Sequence, residues 1–325
     1  MEERMIWFSE AIREAISMEM RNNPDVYMAG EDIGIMGGSF GVTSGMIDEF
    51  GEERVIDTPI SETAIVGHAV GAAAAGMRPV VELMFSDFMM VCGDELMNQA
   101  AKMHFMFGGK AKVPMVVRAA TGAGARAAAQ HSQCPESMIL NFPGLKVVCP
   151  STARDAKGLM LSAIRDDNPV VFLEHRMLYW SMGDVPEGDC PVPIGKADIR
   201  RTGSDVTLIA WGAMVEACAE AAEELSADGI DAEIVDLRSL APLDKAAILT
   251  SVEKTNRVVV VQEAPKTGGF GGEVAAILAE EGFDFLDAPI KRVCAPDTPV
   301  PFSPVLEDYY IPDAQRVVEA VKSLM

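Results

Sequence analysis

The sequence predicts an α/β protein built of two parallel-sheet domains, and three observations carry that reading. Short β-branched runs alternate with helical patterns along all 325 residues. The runs are almost continuously hydrophobic, as strands buried on both faces must be, instead of alternating apolar and polar. A single segment rich in Pro, Gly and Asp, Ser181 to Gly195, interrupts the alternation, which then resumes.

In the first half, strands are expected at Val26 to Ala29, Val55 to Asp57, Val80 to Met84, Pro114 to Arg118, Val147 to Cys149 and Val170 to Leu173. In the second, they are expected at Val206 to Ala210, Glu233 to Leu237, Val258 to Gln262 and Lys291 to Cys294. Helical spacing there covers Val215 to Leu225, Leu243 to Val252, Glu273 to Glu281 and Asp313 to Lys322. Strand and helix in turn require helices on both faces of a parallel sheet. The expected division is a first domain over 1–185, a linker over 186–195 and a second domain over 196–325. Between Gly67 and Gly76 the chain is nearly all Gly and Ala, so one helix face lacks side chains. It serves either close internal packing or a subunit interface.

A hydrophobic content of 49% provides for a substantial core, and 27 basic against 49 acidic residues give a formal charge of -22. That charge opposes binding to phosphate backbones and anionic lipid, so neither nucleic acid nor membrane is expected as a partner. No run of 18 uncharged apolar residues occurs, and the N-terminus (Met1, Glu2, Glu3, Arg4) is acidic where a leader would be basic. A cytoplasmic protein is the expectation. Six scattered cysteines form no CxxC pair and the four histidines no HExxH, which argues against a zinc site or a disulfide framework.

Two glycine-rich segments follow strands. Thr121 to Ala127 matches GxGxxA, but a dinucleotide site needs a helix directly after the glycines, and the chain runs instead into Gln130, His131, Ser132, Gln133 and Pro135. Gly268 to Gly272 precedes a helix, an arrangement common without any ligand. His131 stands out because its Gly- and Ala-rich loop lies at the C-terminal end of a buried strand, where open α/β sheets bind ligands. A histidine there exchanges protons near neutral pH. Cys134, three residues on, would be a nucleophile only if the loop turned it toward His131. The DTPISE run, Asp57 to Glu62, places a carboxylate at a helix start, where the helix dipole stabilises it.

Taken in order, AGED (Ala29 to Asp32), GGSFGVT (Gly37 to Thr43), DTPISE, GMRPVVELMFSDF (Gly76 to Phe88), AAQHSQ (Ala128 to Gln133), PGLKVVCPS (Pro143 to Ser151), AIRDDNPVVF (Ala163 to Phe172) and APDTPVPFSPVLEDYYIPD (Ala295 to Asp313) resemble one family. It is the β subunit of the thiamine-diphosphate-dependent E1 component of 2-oxoacid and acetoin dehydrogenase complexes. The resemblance spans essentially the whole chain. It implies a transketolase-like fold, a pyrimidine-binding domain followed by the transketolase C-terminal domain.

The resemblance also implies roles. Glu62 matches the glutamate that hydrogen-bonds the aminopyrimidine ring nitrogen and so promotes proton removal from the thiazolium carbon. Phe88 matches the aromatic residue beside that ring, His131 the histidine facing substrate and lipoyl group, and Glu31 an acidic residue close to the cofactor. Ala163, Asp166 and Asn168 match a turn that holds a structural potassium ion in some relatives. The GDG and downstream Asn that bind Mg²⁺ and the diphosphate are missing, so an E1 α subunit is expected to supply them in an α2β2 assembly. The implied enzyme decarboxylates pyruvate or another 2-oxoacid, or cleaves acetoin, and passes the acyl group to the lipoyl acyltransferase E2. The acidic C-terminal residues Glu307, Asp308 and Asp313 are the expected E2 docking surface. Competing readings are half of a split transketolase or deoxyxylulose-phosphate-synthase-like enzyme, and a catalytically silent scaffold.

Overall fold

The computed structural model describes residues 4–325. Met1, Glu2 and Glu3, on which the reading of the N-terminus rests in part, lie outside the described residues. No helix among the described residues is long and apolar enough to cross a membrane. The chain forms two compact units, one of residues 1–121 and 138–194, the other of residues 122–137 and 195–325. Residues 122–137, which chain order would assign to the first half, thus pack with the second unit.

In the first unit, six parallel strands lie in the order Lys146–Val148, Val170–His175, Val116–Thr121, Arg78–Leu83, Val26–Gly30 and Val55–Asp57. All six expected strands are present. Their Val and Leu side chains are buried on both faces, which is why these runs read as continuous rather than alternating. The helix Phe8–Asn22 packs against the helix Ala153–Arg165. Two salt bridges join them, Lys157 to Glu14 at 2.7 Å and Arg165 to Glu19 at 2.7 Å. The Pro-, Gly- and Asp-rich segment Ser181 to Gly195, which showed no period, contains a strand, Met182–Asp184, paired antiparallel with Met5–Trp7. Three residues are too short to show a period, so sequence patterning missed both.

The second unit has a five-stranded sheet in the order Lys291–Ala295, Val258–Pro265, Val206–Ala210, Ala232–Asp236 and Asp198–Arg201, the last antiparallel and the rest parallel. The antiparallel edge strand was not expected from sequence. Its pattern, Asp-Ile-Arg-Arg, lacks the β-branched run that marked the other four. The helices Met214–Ala227 and Ala314–Lys322 bury Cys218, Ala221, Val317 and Val321 against one sheet face.

Candidate active site

Three neighbouring parallel strands end together at one edge of the first unit's sheet. Gly30 is in register with Asp57 on one side and Glu82 on the other. Chain continuing past those ends delivers Glu31, then Glu62 through the Asp57 to Ser61 turn, then Phe88 past Leu83. The C-terminal ends of parallel strands are where open α/β sheets bind ligands.

Glu62 opens the helix Glu62–Ala74, is only 8% exposed, and makes no side-chain hydrogen bond among the described residues. With no protein donor committed to it, this carboxylate is free to meet a ligand at the strand ends. Glu31, 5% exposed, accepts a hydrogen bond from the Ser61 backbone. Burial pushes its carboxyl above the usual carboxylate range, and the negative charge of Glu62 adds to the effect. Asp57 does not enter this pair, because its carboxylate accepts the Gly34 N–H at 2.6 Å. A side chain on Gly34 would come within 2.5 Å of Asp57 Oδ2, so it would displace the carboxylate from this position.

The half-buried Phe88 sits on a 3-10 turn, Ser86–Met90, edge-on to Phe85 with ring centroids 5.8 Å apart. Thr63 Oγ1 donates to the Val91 carbonyl at 2.9 Å, and Val91 N–H donates to the Phe88 carbonyl at 3.0 Å. These two bonds tie the start of the Glu62 helix to the segment carrying Phe88.

Beneath the edge lies a charge cluster that sequence reading passed over. Arg118 holds Glu174 through two N–H donors at 2.7 and 2.8 Å and pairs with Glu82, all of them buried. Tyr179 donates to Glu174 at 2.7 Å, and Phe40 stacks on Tyr179 with centroids 5.0 Å apart. Burial raises the Glu82 carboxyl and Glu174 adds to it, while Arg118 opposes the shift. The signal was present in the sequence, since Glu82, Arg118 and Glu174 each interrupt an otherwise apolar strand. The register that aligns Glu82 with Arg118 was not.

His131 lies in the second unit, on the 122–137 loop, and is half-buried. Glu263 accepts the Ala123 N–H at 2.6 Å, and Glu307 accepts the N–H groups of Gly124 and Arg126 at 2.8 and 3.1 Å. Arg126 and Ala128 adopt left-handed backbone conformations at φ 58° and 59°, strain of the kind that a well-anchored loop tolerates at functional sites. No helix follows the glycines until Glu136–Leu140, which removes the dinucleotide reading. Cys134 Sγ donates to Glu263 Oε1 at 3.7 Å.

One expectation requires correction. Glu307 is fully buried and spends its carboxylate on the loop, so it cannot be part of a docking surface. Asp313 caps the last helix through the Arg316 N–H at 2.9 Å. At the turn expected to hold potassium, the Asp166 carboxylate pairs with Lys146 and accepts two N–H groups of Asn168, each at 2.9 Å. The carbonyls of Ile164 and Asp166 accept from Arg78 at 2.9 and 3.0 Å, and that of Ala163 accepts from Asp166 N–H at 3.3 Å. The described residues contain no His, Cys, Asp and Glu cluster suited to a metal ion.

The family model described as the transketolase pyrimidine binding domain matches residues 4–181, and that of the transketolase C-terminal domain matches residues 195–317. The beta subunit of acetoin:2,6-dichlorophenolindophenol oxidoreductase from Cupriavidus necator is 52% identical over 97% of this chain and 96% of its own. The chain belongs to the transketolase-like E1 β subunits. A second such β subunit, that of the pyruvate dehydrogenase E1 component from Rickettsia felis, is 48% identical over 97% of both chains. Among solved structures, a split-gene transketolase described as an inactive beta4 tetramer superposes with a TM-score of 0.79 at 26% identity, covering 98% of each chain. As an E1 β subunit the chain falls in the oxidoreductase class and in a thiamine-dependent family.

Proposed function

We propose that this chain is the β half of an α2β2 enzyme that cleaves acetoin or decarboxylates a 2-oxoacid such as pyruvate, and transfers the acyl group to a lipoyl-bearing E2. The observation that carries the reading is Glu62, a buried carboxylate at a strand-end cleft with no donor of its own. It fits the pyrimidine ring nitrogen of thiamine diphosphate, with which it would share a proton. When bound, the cofactor supplies a nucleophilic thiazolium carbon and an electron sink.

This chain's residues divide the remaining work. Glu62 would hold the proton at the ring nitrogen, Phe88 would lie beside the pyrimidine, and Glu31 fixes the turn before Glu62 through the Ser61 N–H. His131 exchanges protons with substrate and lipoyl group. Mg²⁺ and the diphosphate belong to the α partner. A potassium ion at the 163–168 turn would have to be held by backbone carbonyls, since the Asp166 carboxylate is committed to Lys146 and Asn168.

The split-transketolase reading fits less well, because a sugar phosphate requires cations, whereas Glu31 and Glu62 make this edge acidic. Acetoin is the first substrate to assay, given the higher identity to the acetoin relative. The test is co-expression with an α-type partner and dye reduction with acetoin, pyruvate and a branched-chain 2-oxoacid in parallel. Glu62→Gln should leave the assembly intact and lower turnover by about 10² to 10⁴-fold. Near-normal exchange of the thiazolium C2 proton in that variant would exclude the assignment.

A further inference from the structure

A cavity of about 460 Å³ opens in the second unit beside the C-terminal ends of the neighbouring parallel strands Val258–Pro265 and Lys291–Ala295. Lys266, Arg292 and Arg316 line it, together with Tyr309 and a single carboxylate, Asp297. Three cations converge there in a chain of formal charge -22. None of the three forms an ion pair among the described residues, although most other basic side chains have an acidic partner.

The two guanidinium groups are held in place by neutral groups. Arg292 Nη1 donates to the Lys266 carbonyl at 3.2 Å. Arg316 donates to the Tyr309 carbonyl, and its guanidinium lies 4.8 Å from the centroid of the Tyr309 ring. Asp297 is drawn into a turn, accepting from Thr267 N–H and Oγ1 at 3.0 and 2.7 Å. Converging like charges repel, and a multiply charged anion reverses the sign of that cost. Two guanidinium forks and one ammonium suit phosphate oxygens, which accept paired N–H donors from Arg and a point charge from Lys. The volume lies in the range of small-molecule sites and exceeds what one phosphate fills.

We propose that this cavity binds a small phosphate-bearing anion through Lys266, Arg292 and Arg316, separately from the Glu62 edge. The test is calorimetric titration of the full-length chain with inorganic pyrophosphate and with ADP, at low and at physiological salt. Saturable one-to-one binding that weakens with salt is expected. The double variant Arg292→Gln/Arg316→Gln should weaken it by about tenfold or more. Lys322→Gln, which removes a cation paired with Asp228 on the same terminal helix, should not. If the double variant fails to fold by circular dichroism, Lys266→Gln gives the same readout from an exposed side chain. Tighter binding of ADP that Tyr309→Ala abolishes would mark a nucleotide, and equal affinities would mark the phosphate groups as the part recognised. No saturable binding, or binding indifferent to the substitutions in folded protein, overturns the proposal.

Discussion

Glu307 accepts both the backbone N–H of Arg126, at 3.1 Å, and its guanidinium, at 2.8 Å, across 181 residues of sequence. With the Gly124 N–H it thereby anchors the strained loop that carries His131.

Glu307→Ala is accordingly expected to destabilise the second unit by about 1.5 to 3 kcal/mol, the range for hydrogen bonds to a charged group. It should also lower turnover of the assembled enzyme more than affinity for thiamine diphosphate, as His131→Ala should. Urea unfolding and cofactor titration of both variants check this. Loss of cofactor affinity with unchanged turnover at saturation would show that the loop serves the cofactor and not the reaction.

The raised carboxyl of Glu31 gives stability a pH dependence whose sign can be worked out. The folded state holds the proton to higher pH than the unfolded chain does. Stability is therefore fully present below the ordinary glutamate value of 4.5 and declines as pH rises from there through the folded value. Glu31→Gln keeps an acceptor for Ser61 and removes the charge. The variant should match the parent near pH 4 and melt higher at pH 7.5, with activity reduced. Equal melting at both pH values would mean that Glu31 titrates normally.

Arg118→Met should be severe, because it leaves the buried Glu82 and Glu174 carboxylates without their counter-ion. Breaking a buried pair from one side typically costs about 3 to 5 kcal/mol. Replacing all three charges, as Glu82→Leu/Arg118→Met/Glu174→Leu, should recover most of that loss. If the single and triple variants unfold at the same denaturant concentration, packing rather than charge is the cause.

The small-residue face of the helix Glu62–Ala74 is open in this chain, and a side chain added at the exposed Gly71 meets nothing within 4 Å. Gly71→Leu should not destabilise the isolated chain, since leaving glycine gains up to about 1 kcal/mol of helix propensity. In co-assembly with the α partner it should yield smaller species by light scattering. An intact assembly of normal stability would show that this face lies outside every interface.

The sequence by itself determined the α/β class and all ten of the strands it marked, and it singled out Glu31, Glu62, Phe88 and His131 as a candidate set. Those strands are legible because burial on both faces demands unbroken β-branched runs, and the set because its motifs stand in a fixed order. Only the tertiary structure decided that Glu62 lacks a donor while Glu31 has one, that Arg118 binds two carboxylates from other strands, and that Glu307 is an internal anchor instead of a surface acid. These facts depend on register and burial between segments far apart in sequence. The same residue type reads identically along the chain whether water, an N–H group or a guanidinium faces it, so no local pattern encodes the difference.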